Sequence, residues 1–75
     1  MAEQENIVPA RQNEIKKDIN THVLEIKKLS ESLISVMGKE LFKEADLDSA
    51  FDMADAIQEQ SQEITALLFD LRDNL

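Results

Sequence analysis

The chain has no cysteine, no tryptophan and no tyrosine, and a single proline and a single glycine in 75 residues. Without cysteine there is no disulfide framework and no thiolate metal site. One proline and one glycine are too few to punctuate a sheet of many short strands, and they suit long helices. No apolar run approaches the roughly 20 residues needed to cross a bilayer. The opening MAEQENIVPA is acidic and lacks an apolar core region, so it does not read as a secretory signal. The expected setting is the cytoplasm. No glycine-rich phosphate loop is present. Ser30, Ser32, Ser35, Ser49 and Ser61 fall in helix-patterned segments with no histidine-and-acid arrangement around them. The expectation is a protein that is not an enzyme and that carries no cofactor or metal.

Charge is abundant and lopsided. The formal net charge is −8, from eight Lys and Arg against 16 Asp and Glu. Residues 44–75 hold nine of those carboxylates and only Arg72 as a cation. Nucleic-acid binding needs cations to neutralise phosphate, so this balance argues against it. A basic partner protein is compatible with it.

A seven-residue repeat dominates both halves. Ile15, Ile19, His22, Ile26, Leu29, Leu33 and Val36 recur at alternating steps of four and three. Leu47, Ala50, Ala54, Ile57, Ser61, Ile64, Leu68, Leu71 and Leu75 do the same. Such spacing draws an apolar seam along one side of an α-helix. The seams are interrupted at the charged Glu40 and Lys43, just past Gly38. A single continuous rod is the competing arrangement, since one glycine costs a helix only about 1 kcal/mol.

The pattern predicts an all-α fold: a long antiparallel helical hairpin that dimerises into a four-helix bundle. Residues 1–8 are expected to be a flexible N-terminus. The first helix is expected over about 9–37, starting near Pro9. The turn is expected over about 38–46, with Gly38 as a left-handed cap and Asp46 as the next N-cap. The second helix is expected over about 47–73. Val23, Met37, Phe51, Met53 and Leu67 widen the two stripes beyond what one facing helix covers, hence the expected homodimer.

Three sets of residues stand out as candidate sites. His22, the only histidine, sits in the first seam, and equal spacing from the turn places it level with Ser61. This pair reads as a polar layer fixing helix register. A histidine proton switch is the functional counterpart. Asp48, Asp52, Asp55, Glu59 and Glu63 line one outer face of the second helix. With Leu41 and Phe42 at the turn they form the candidate contact for a partner protein. The bland reading of that row is a solvated face, and the sharpest one is a DNA mimic that blocks a nucleic-acid-binding protein. A different class of function is an oligomer sequestering a small anion or nucleotide, with Arg11, Lys16, Lys17, Lys39 and Lys43 as contacts. The stretch from Asp46 lacks the glycine and the glutamate a calcium loop requires. The expected function is therefore a small acidic adaptor, chaperone or inhibitor that binds another protein through a helix face.

Overall fold

A computed structural model describes the backbone of residues 2–75 and the side chains of residues 10–75. Two helices account for nearly all of it: α1, Ala2–Met37, and α2, Glu44–Asp73. They pack side by side as a hairpin with Cα extents of 63 × 15 × 12 Å. The single rod is thereby excluded.

α1 starts at Ala2, upstream of Pro9, and so runs further back than the repeat alone suggests. Ala, Glu and Gln, which make up residues 2–5, are strong helix formers. The expected flexible segment 1–8 lies outside the residues whose side chains are described, and Met1 lies outside the described residues altogether.

The reversal is shorter than expected and uses different chemistry. Gly38 does not adopt a left-handed conformation, and no described residue has positive φ. Its N–H still donates to Ile34 O at 3.0 Å, and Lys39 N–H donates to Val36 O at 3.3 Å. The last turn of α1 thus tightens and ends without a special backbone geometry. Lys43, extended at φ −110° and ψ 169°, is the residue that caps α2. Asp46 is therefore not the N-cap but the third residue of the helix. Its Oδ2 accepts the Lys43 backbone N–H at 2.9 Å. A carboxylate in the first turn also sits favourably at the positive end of the helix dipole.

The seam of α1 is the expected one. Ile15 is buried, and Ile19, His22, Ile26, Leu29, Leu33 and Val36 are half-buried. The seam of α2 differs in half its members. Ala50, Ile57, Ile64 and Leu71 face inward as expected, but Asp46, Met53, Gln60, Leu67 and Asn74 replace Leu47, Ala54, Ser61, Leu68 and Leu75. The two alternatives lie one residue apart, and both carry apolar side chains. Hydrogen bonding separates them. Each polar member of the observed row has a partner: Asp46 with Lys39 and Lys43, Gln60 with His22, and Asn74 with Gln12, whose amide donates to the Asn74 main-chain carbonyl while the Asn74 side chain donates to Asp70 O. Polar groups in a seam stabilise the register only when they are paired in this way.

Among the residues whose side chains are described, only Ile15 and Ala50 are buried, at 3% and 9% exposure. A ribbon of two helices offers each one a single neighbour, so its seam is covered from one side only.

Because Gly38 has an ordinary backbone conformation, alanine should be accepted there. An added Cβ would lie 3.4 Å from Ile34 O, which is ordinary contact. Gly38→Ala should stabilise the hairpin by about 0.4–1 kcal/mol, by restricting the unfolded chain. Urea denaturation followed by circular dichroism measures this, and a loss of stability would contradict the negative φ.

Candidate interaction surface

The reversal of α2 relative to α1 decides which residues share a side. Turning one helix end for end keeps like positions of the repeat on the same broad face of the ribbon. Residues immediately after one set of seam positions are Lys16, Val23, Ser30 and Met37 on α1, and Leu47, Ala54, Ser61, Leu68 and Leu75 on α2. Both series therefore line one broad face. Ile34 and Phe51, which lie further out on that face, are 71% and 61% exposed. Leu41 and Phe42 sit in the link at the closed end, at 80% and 41% exposure. The result is an apolar face concentrated towards the turn.

The other broad face and the outer edge of α2 are acidic. Asp48, Asp52, Asp55, Glu59 and Glu63 are all exposed. Among the described residues none of the five forms an ion pair. The structure thus divides the expected contact set in two. The five carboxylates stay together on and beside one face, while Leu41 and Phe42 lie in the link at the end of the hairpin.

His22 and Ser61 are not brought together. His22 is half-buried, and its Nδ1 is hydrogen-bonded to Gln60 Oε1. Ser61 is exposed, and its backbone carbonyl accepts the Thr65 hydroxyl at 3.1 Å. The polar layer exists with Gln60 in place of Ser61. Sequence spacing missed this because it depended on where the turn was centred and on which of two adjacent rows faced inward.

The five candidate anion contacts are scattered. Lys39 Nζ is 2.7 Å from Asp46 Oδ1, and Arg11 is 3.6 Å from Glu14. Lys16 and Lys17 border an open cleft with Ala10, Asn13, Glu14 and Asn20 at the far end of α1. Lys43 lies at the opposite end, capping α2. A second shallow cleft on α2 is lined by Thr65, Leu68, Phe69 and Arg72, with the Arg72 guanidinium 4.8 Å from the Phe69 ring centre. Among the described residues no group of three His, Asp or Glu side chains could hold a metal ion. No described helix is long and apolar enough to cross a membrane.

Asp46 is more acidic than an ordinary carboxyl. The Lys39 ammonium hydrogen-bonded to it, together with the Lys43 backbone N–H, holds it below the usual 3.8. Sequence reading placed Asp46 at the helix start but did not foresee the Lys39 contact across the turn.

Compared with protein-family models, with curated proteins and with solved structures, the chain matches none of them.

Two measurements check these sites. A carboxyl with a depressed folded-state pKa stabilises the protein above its unfolded value and loses that effect as pH falls through the folded one. Asp46→Asn should therefore lower the melting temperature at pH 7, and the gap from the parent chain should narrow as pH falls past about 3.8, the value for an unfolded carboxyl, and close below the lower folded-state value. A gap that persists at pH 2 would assign it to something other than the carboxylate. At the polar layer, His22→Leu alone strands Gln60 and should cost about 1 kcal/mol. His22→Leu with Gln60→Leu should restore or exceed the parent stability. A double variant no more stable than the single one would show that the layer contributes more than register.

Proposed function

We propose that this chain is a non-enzymatic, cytoplasmic interaction protein. In this reading two hairpins pair into a four-helix bundle whose acidic α2 faces remain outside and dock a basic partner protein. One observation carries it: the hairpin is two-faced. Apolar side chains are gathered on one broad face, and unpaired carboxylates on and beside the other. Self-association through the first leaves the second free.

The size of the buried set supports the dimer. Two buried residues among the 66 whose side chains are described make a small core, and chains below ~70–80 residues commonly rely on association or cross-links for stability. The acidic row supports the basic partner. Like charges three and four residues apart repel mildly along a helix, so the row contributes nothing to the helix that bears it. A complementary surface would relieve that repulsion and speed encounter by electrostatic steering.

The DNA-mimic form of this reading is a special case in which the partner is a nucleic-acid-binding protein. The anion-sequestering alternative is weakened by the dispersal of Arg11, Lys16, Lys17, Lys39 and Lys43 over both ends of the hairpin, with two of them engaged by carboxylates.

The acidic face is tested by Asp52→Asn, Asp55→Asn, Glu59→Gln and Glu63→Gln combined. Capture of a basic protein from host extract should be lost while helix content stays unchanged. Undiminished capture would reject the acidic face as the contact.

A further inference from the structure

The geometry points to one dimer arrangement: the carboxylate-poor apolar face of each hairpin covers that of a second copy, with the two closed ends together. This deepens the dimer reading above and rests on it.

Charge marks the face that a second copy can cover. On the helical parts of the described chain, the apolar face carries Lys16, Lys27 and Arg72, and its only carboxylate is Glu44 in the first turn of α2. Two copies of a chain with net charge −8 repel on any approach through their carboxylates. Approach through this face brings fewer carboxylates together than approach through the opposite one. Its area is also sufficient. Where both helices are present, over the 30 residues of α2, the broad side is about 45 Å long at helical rise and 15 Å wide between Cα atoms, and with its side chains it is of the order of the ~800 Å² per partner of a standard stable interface.

Orientation follows from where the apolar residues lie. Two symmetric face-to-face pairings are available. Rotation about an axis along the hairpin lays α1 of each copy over α2 of the other, closed end to closed end. Ile34 and Met37 of one copy then meet Leu47, Phe51 and Ala54 of the second. Rotation about an axis across the hairpin lays α1 over α1 in reverse. Ile34 and Met37 are then set against the Asn13–Asn20 end, which includes Lys16.

The second pairing gains contact between open-end cations and closed-end carboxylates. The first gains burial of large apolar side chains that are now 41–80% exposed. Burial of one such side chain outweighs an exposed ion pair several-fold. The closed-end-together pairing is therefore favoured. It also gathers Leu41 and Phe42 from both copies at one end of the bundle, where they close it off.

The chain lacks cysteine, so Glu40→Cys introduces a single site for a spin label in the link. Light scattering should give twice the chain mass of 8.5 kDa. Pulsed electron resonance should give a label-to-label distance below about half the 63 Å length of the hairpin. In a companion variant, Ile34→Glu with Phe51→Glu should weaken the dimer at least about thirtyfold. Both residues lie outside the seam within the hairpin, and Glu59→Lys on the opposite face should leave the mass unchanged. A monomer with full helix content would overturn the dimer itself and this arrangement with it. A dimer whose labels lie near the full hairpin length apart, or that survives Ile34→Glu with Phe51→Glu at parental affinity, would overturn this arrangement alone. Should that double variant lose its helices, the label distance on the otherwise parental chain decides the matter.

Discussion

The contact between two helices, one seam deep, is the constraint on which everything else here depends. Each helix turns about a third of its surface to its only neighbour. Whatever apolar surface lies beyond that third must face outward. In this chain it is considerable, and it is not spread evenly. The seam takes Ile15, Ile19, Ile26, Leu29, Leu33 and Val36 from α1, and Ala50, Met53, Ile57, Ile64, Leu67 and Leu71 from α2. Most of what it leaves over collects on one broad side, with Leu24 and Phe69 on the outer edges, because reversing the chain sets like positions of the repeat next to each other.

That same reversal gives the molecule its two-faced character. The acidic row and the apolar face are consequences of one topology and two similar repeats. Had the helices run parallel, the flanking positions would have been exchanged, and each broad side would have mixed the two chemistries. The reading as an interaction protein therefore draws on placement, and no catalytic group enters into it. Polar residues within the seam play a narrower part. His22 with Gln60, and Gln12 with the Asn74 carbonyl, pin which row of α2 turns inward.

Much of this was legible from spacing. The two helices, their antiparallel return near residue 40 and the seam of α1 follow from steps of three and four. The seam of α2 did not, for a definite reason. Leu47 and Leu68 on one row match Met53 and Leu67 on the next, so hydrophobicity alone does not choose between them. The choice rests on polar partners outside α2, above all Lys39 of the link for Asp46 and His22 of α1 for Gln60. Such partners become visible only once the turn is built. The left-handed Gly38 failed for a similar reason: a six-residue link can reverse the chain without it, and the first turn of α2 is held by Lys43 and Asp46 instead. The acidic row was plain from sequence, while its segregation from the apolar face needed the reversal to be seen.

The Gln12–Asn74 bond joins residues 62 apart in the chain, yet no long loop has to be closed to make it. Once the reversal at residues 38–43 has formed, each successive rung outward brings together residues already held near one another, so its entropic cost is that of a short closure. The two arms thus close like a zip whose slider starts at Lys39 and Asp46. Tension applied at the two termini would open it from the other end, parting Gln12 from Asn74 first and then one rung at a time, with modest resistance at each. A molecule built this way yields gradually to a pull, where a globular core of the same mass would hold and then give way at once.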